Sequence, residues 1–254
     1  MILETLQRVL ETNGLITAFM FVGGLVWVSY WVSGNLTRGK VHGSAIAIAL
    51  GLVLAWYGGV ATGGSRGLSD FPLLAGVGLM GGAMFRDFAI VATAFGADIR
   101  ALKSAGVIGA FSIVIGVALS FVIGVIVALA FGYTDAIELT TIGAGAATYI
   151  VGPVTGTALG AGSDVIALSV AAGLTKSVLV MIGTPFVAGR IGLNNPHSAL
   201  IYGGLMGTTS GVAGGLAATD PKLVPYGAMT ATFYTGMGCL LAPSLLYLMV
   251  RAIV

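Results

Sequence analysis

The stretch from Ala105 to Phe131 contains no charged side chain. It exceeds the roughly 20 apolar residues that carry an α-helix across about 30 Å of hydrocarbon. Comparable runs lie at about Leu15–Val32 and Ser44–Thr62, runs at Val165–Gly189 and Pro225–Ala252 carry one charge each (Lys176 and Arg251), and a further run at Phe71–Gly96 is interrupted by Arg86-Asp87. A charge at the bilayer centre costs roughly 2.5–3.5 kcal/mol on insertion scales, so the runs mark membrane spans and the charged segments between them mark loops. Only 8% of the 254 residues are charged while 57% are hydrophobic, which leaves too little polar surface for a water-soluble domain. The chain reads as an all-α polytopic membrane protein in a lipid bilayer, with about six full transmembrane helices.

A net charge of +2 without a basic run gives no footprint for nucleic acid. Cys239 is the single cysteine, which excludes an intramolecular disulfide and a cysteine metal site. His42 and His197 are too far apart in sequence to suggest a histidine cluster. The start, Met1-Ile2-Leu3-Glu4, lacks the basic n-region of a cleavable signal peptide. Basic residues favour the cytoplasmic face, which puts loops Ser33–Gly43 and Ala97–Ser104 inside and the acidic loop after Phe131 outside. Residues 1–70 read as an N-terminal helix pair serving as scaffold, and 71–254 as the core.

Within that core, segments 140–189 and 198–252 look like two copies of one unit. Each opens on a small, Gly/Thr-rich stretch, with Gly152, Gly156 and Gly160 in one and Gly203, Gly207, Gly211 and Gly215 in the other. The first stretch also carries Pro153. Each stretch closes on a hydroxyl residue and an aspartate (Ser163-Asp164, Thr219-Asp220), then continues into an apolar helix with a late proline, Pro185 or Pro243. Aligning these prolines sets Lys176 opposite Tyr234. Paired, interrupted segments of this kind point to a transporter binding site. A helix broken in lipid frees backbone groups that survive only where they line a cavity or bind something. Close helix packing through small residues is the alternative. Re-entrant hairpins would give the two copies opposite orientations, whereas full spans would give parallel copies. The basic-residue rule favours hairpins, because Arg190 and Lys222 then both fall inside.

Intramembrane ionisable groups are candidates for function. Lys176 has no acidic residue within four positions; it would meet a substrate carboxylate or pair with an acid from another helix. Arg86 could meet an anion while Asp87 orients it or holds a cation, or the two could form a structural pair. Hydroxyls cluster at Thr155 and Thr157 and at Thr208, Thr209 and Ser210. Hydroxyls and freed carbonyls suit Na⁺, and freed N–H groups at half-helix starts suit carboxylates; otherwise the hydroxyls bond back to their own helices. Thr230, Thr232, Tyr234 and Thr235 could face the same cavity. Gly63-Gly64-Ser65-Arg66-Gly67 fits a nucleophile-elbow pattern and Gly76 to Gly81 a dinucleotide pattern, but neither has the strand context its chemistry needs. The chain has no phosphate-binding Walker loop, no paired catalytic carboxylates and no acidic cluster for Mg²⁺ or Ca²⁺, which argues against an ATP-driven pump and against an enzyme.

Four strings carry a family resemblance. They are Arg38-Gly39-Lys40-Val41-His42-Gly43-Ser44-Ala45, the run Gly78 to Thr93 around Met84-Phe85-Arg86-Asp87, Thr148-Tyr149-Ile150-Val151-Gly152-Pro153-Val154-Thr155-Gly156, and Gly203-Gly204-Leu205-Met206-Gly207-Thr208-Thr209-Ser210-Gly211-Val212-Ala213. With these the chain resembles, over essentially its full length, the large (MadM-type) subunit of the bacterial malonate:sodium symporter. The resemblance implies uptake of malonate at the bacterial inner membrane with Na⁺ as coupling ion, no organic cofactor, and a small MadL-type membrane subunit as partner. Malonate is then expected between the two broken segments near the midplane. Lys176 and Arg86 would supply charge, and Thr155, Thr157, Thr208, Thr209 and Ser210 would supply hydroxyls and backbone. Sodium is expected near Thr148, Gly152 and Gly207, with Asp87 as a further ligand. A carrier or channel for another small anion, or a non-transporting scaffold subunit, are the alternatives.

Overall fold

The computed structural model describes residues 2–39, 41–64, 66–80 and 99–254. Its chain divides into two compact units, Met1–Ala92 and Thr93–Val254. Five helical stretches among the described residues are long and apolar enough to cross a bilayer: Gly14–Asn35, Gly43–Leu74, Gly106–Ala130, Ser163–Val187 and Pro221–Ile253. The chain is thus an all-α polytopic membrane protein. Most of the expected run Phe71–Gly96 lies outside the described residues, and Arg86 and Asp87 with it.

In the first unit an amphipathic helix, α1 (Ile2–Thr12), precedes α2 (Gly14–Asn35) and α3 (Gly43–Thr62). The α2–α3 turn is tied down by Ser33 Oγ donating to Val41 O at 2.6 Å and by Tyr30 OH on Ser44 Oγ at 3.0 Å. The His42 side chain accepts from Ser44 N at 3.3 Å and so caps α3. Burial lowers the His42 pKa, which favours the neutral ring that this acceptor role requires. After α3, Asp70 accepts from Arg66 N at 2.8 Å and pairs with its Nε at 3.3 Å, closing the loop ahead of the short α4 (Gly76–Leu79).

The second unit begins with α5 (Ile99–Ala130), which is bent at Gly106, where φ is 64°. Next come two short helices, α6 (Ala136–Ala147) and α7 (Val151–Leu159), and the long α8 (Ser163–Val187). The same pattern then recurs as α9 (Pro196–Met206), α10 (Thr209–Ala217) and α11 (Val224–Leu241), continued through a π-turn at Ala242–Leu246 into α12 (Tyr247–Ile253).

Glycine contacts fix how these pieces run. A Cβ on Gly152 would lie 2.9 Å from Gly145 Cα, and one on Gly156 would lie 2.8 Å from Thr141 Cγ2. Partners that fall as the chain advances make α6 and α7 antiparallel, a hairpin with its tip at 148–150. Similarly, a Cβ on Gly145 would meet Ser169 O at 2.2 Å, and one on Gly173 would meet Tyr149 N at 2.2 Å. Helix α8 therefore runs parallel to α6, with the tip level with Gly173. In the second copy, Gly203 packs on Gly227 and Gly207 packs on Tyr234, so α11 runs parallel to α9. Gly227 abuts Leu216, near the end of α10, while Gly207, just before its start, lies against Tyr234, so α10 runs antiparallel to α11. The contact of Gly145 with Ser169 thus recurs as Gly203 with Gly227, displaced by 58 residues (203 − 145 and 227 − 169).

The two copies are oppositely oriented. Helix α10 runs along α8 in the same direction, with Gly211 against Ser177 and Gly215 against Thr184. Helix α9 runs against α8, with Thr184 Oγ1 and Tyr202 OH 2.7 Å apart. The hairpins therefore reach the middle of α8 from its two ends. Pro153, expected to break the first segment, instead sits in the first turn of α7, where its missing N–H costs no helical bond. The break comes earlier, where Thr148 turns extended at φ −162° and ψ 151°.

This architecture places Asp164, after the first hairpin, and Asp220, after the second, at opposite ends of α8. Single cysteines at these positions, in a Cys239→Ser background, should react with a membrane-impermeant thiol reagent from opposite faces of the membrane. Labelling from one shared face would contradict the hairpin topology.

Candidate functional site

Both hairpin tips converge on two adjacent residues of α8. Lys176 Nζ donates to Ala147 O at 2.8 Å, to Ser120 Oγ of α5 at 2.8 Å and to Tyr234 OH of α11 at 3.3 Å. Ala147 is the last residue of α6, so its carbonyl lies at the negative end of that half-helix. Ser177 bonds Thr208, the residue that opens α10 at the second tip. Tyr234 closes the arrangement. It is fully buried, donates to Gly116 O at 3.1 Å and lays its ring against Gly207, where a Cβ would come within 2.3 Å. Gly207 has φ 70°, a left-handed conformation that glycine adopts without strain, and the chain reverses there.

The arms differ in how they begin. The starts of α6 and α9 are capped by side chains, from Asp135 (onto Ile137 N at 2.8 Å) and from Asn195 (onto Ser198 N at 3.0 Å). The starts of α7 and α10, both at the tips, have no side-chain cap. In α10 the first backbone bond back to the cap is Val212 N to Thr208 O, at 2.8 Å. The N–H groups of Thr209, Ser210 and Gly211 thus have no acceptor four residues back within the helix. Three buried hydroxyls on these same arms, Thr155 Oγ1, Thr209 Oγ1 and Ser210 Oγ, have no hydrogen-bond partner among the described residues. An unsatisfied buried polar group costs roughly 1–3 kcal/mol, so three on the two arms make these arms candidates for a binding site.

The expected site residues separate accordingly. Lys176, Thr208, Gly207 and Thr148 lie at or against the tips, and Thr155, Thr209, Ser210 and Gly152 lie on the arms that leave them. Thr157 does not join them. Two residues on from Thr155 in a helix lies nearly the opposite face, and Thr157 is exposed where Thr155 is fully buried. Thr230, Thr232 and Thr235 spend their hydroxyls on the carbonyls of Leu200, Ala228 and Ala231. Arg86 and Asp87 lie outside the described residues. Sequence reasoning passed over Ser120 and Ser177. Ser120 stands out only as an isolated hydroxyl in the Val/Ile-rich α5.

Lys176 has no carboxylate partner among the described residues. A groove of about 620 Å³ between α8 and α9 lies elsewhere, lined by apolar side chains such as Leu179, Val187, Ile191 and Leu205. With no cationic group in its wall it does not suit an anion.

Two oppositely inserted hairpins meeting at mid-helix, with uncapped half-helix starts and buried unpartnered hydroxyls, are the architecture of a secondary transporter built from inverted repeats. The description "Malonate/sodium symporter MadM subunit" matches residues 6–254, and the chain belongs to that family of transporter subunits. Neither a curated protein nor a solved structure matches it. Membership makes malonate and Na⁺ the substrate and coupling ion of the family's carrier.

Close backbone packing at the repeat contacts should be sensitive to single methyl groups. Gly203→Ala would place a Cβ 2.0 Å from Gly227 O and should destabilise the folded protein by about 1–3 kcal/mol. Gly183→Ala, where a Cβ meets nothing within 4 Å, should not. Thermal unfolding in detergent checks the pair.

Proposed function

We propose that this chain, with a small MadL-type subunit, imports malonate together with Na⁺ across the bacterial inner membrane by alternating access. Malonate would bind between the hairpin tips. The observation that carries this reading is the set of buried, unpartnered hydroxyls at Thr155, Thr209 and Ser210 beside helix starts that no side chain caps.

Malonate is a dianion at neutral pH, and burying it in lipid requires donors for both carboxylates and nearby positive charge. One carboxylate would take the N–H groups at the start of α10 with the Thr209 and Ser210 hydroxyls, where the half-helix dipole favours an anion. The other would lie toward α7 and Thr155. Lys176 contributes positive charge from beside the tips, and Arg86 a second cation. Thr157 has no part in this site. Sodium would take carbonyl and hydroxyl oxygens around Thr148, Gly152 and Gly207, with Asp87 as a further ligand, since a hard cation prefers oxygen donors. Movement of the hairpins would expose the site alternately to each side.

Removing one hydroxyl, by Thr209→Ala or Ser210→Ala, should raise the KM for malonate by about tenfold while leaving the amount of inserted protein unchanged. Thr157→Ala should leave KM as it is. Sodium-dependent uptake into proteoliposomes measures all three. An unchanged KM in both of the first two variants would remove the second tip from the binding site.

A further inference from the structure

We infer that the Lys176 ammonium is a tethered cation occupying a cation site of the carrier, and is not itself a ligand of the substrate. The inference rests on the malonate–sodium reading above and concerns how charge is arranged within it.

An ammonium has three N–H donors. Those of Lys176 have three acceptors within the protein: the Ala147 carbonyl, the Ser120 hydroxyl and the Tyr234 hydroxyl. None remains for a carboxylate. A backbone carbonyl with two hydroxyl oxygens is the donor set of a hard monovalent cation, and the carbonyl comes from the end of a half-helix, where the dipole favours positive charge. Among the described residues these neighbours are neutral, as are the tip residues Thr148, Tyr149, Gly207 and Thr208.

The inverted repeat sharpens the point. The position equivalent to Lys176 in the second copy is Tyr234, displaced by the same 58 residues (234 − 176). Each sits where its helix passes the tip of its own hairpin: Lys176 on Ala147 at the first tip, Tyr234 on Gly207 at the second. The first copy therefore carries a built-in positive charge at its tip, and the second carries a neutral ring. Lys176 also joins three elements, the end of α6, the middle of α5 and the middle of α11. Its charge thus holds the first tip in the arrangement seen here. Lys176 is accordingly a positioning residue, supplying from a tethered side chain what a free cation would otherwise have to supply.

The test is uptake by the full chain with its small partner subunit in proteoliposomes, comparing wild type with Lys176→Ala and Lys176→Gln. Both variants should lose about 100-fold or more of their sodium-dependent malonate uptake. Methylammonium, which can enter the space left in Lys176→Ala, should restore uptake in that variant; tetramethylammonium, too bulky and without N–H donors, should not. The bulkier amide should leave Lys176→Gln unrestored by either. If Lys176→Ala fails to assemble, the same comparison is read as recovery of folded protein during purification, with methylammonium again expected to support it and tetramethylammonium not. Unchanged uptake in Lys176→Ala, or loss that methylammonium does not relieve, overturns the inference. Absence of sodium-dependent malonate uptake in the wild type would instead overturn the functional reading on which it rests.

Discussion

Hydrocarbon offers no hydrogen bonds, so a polypeptide that stops being helical at membrane depth must find partners for its freed backbone groups within the protein. The second unit meets that constraint at one place. The last carbonyl of α6 is taken by Lys176, and Thr208 at the opposing tip is held by Ser177, the next residue along the same helix. Two breaks are therefore anchored by adjacent side chains on α8, which brings two hairpins from opposite ends to a common level. What the protein leaves unanchored is as informative. The hydroxyls of Thr155, Thr209 and Ser210 are buried on the arms that leave the tips, without a partner among the described residues. An element that satisfies some of its exposed dipoles and withholds others is organised to bind.

Glycine makes the meeting possible. Backbones at Gly145–Ser169 and Gly203–Gly227 approach more closely than any side chain would permit, so these positions tolerate only a hydrogen. Because the contact recurs at a constant displacement, the two copies are one unit used twice in opposite orientations. They differ at Lys176 and Tyr234, where one copy carries charge and the other an aromatic ring. A symmetric scaffold thereby acquires an asymmetric centre.

Much of this was legible in the residues. Apolar runs poor in charge identify spans because charge in lipid is expensive, and α5, α8 and the run ending in α12 fall where those runs lie. The repeat was legible from matched glycines, prolines and acidic ends. Hairpin geometry was not, because a local break reads the same whether the chain turns back or continues; only contacts such as Gly152 with Gly145 decide it. Pro153 drew attention as a helix breaker, yet it lies in a first turn that tolerates it, and the break falls at Thr148. The partners of Lys176 were equally hidden: Ser120 and Tyr234 lie 56 and 58 residues away in the chain. Thr157, by contrast, was separable from Thr155 by helical periodicity alone.

The central claim is that malonate, with sodium, occupies the space between the hairpin tips. The most direct measurement is the rate at which a thiol reagent modifies Thr209→Cys in a Cys239→Ser background, with malonate and Na⁺ supplied separately and together. The account predicts slowed modification when both are present and little change with malonate alone. A rate indifferent to malonate in the presence of Na⁺ would contradict it.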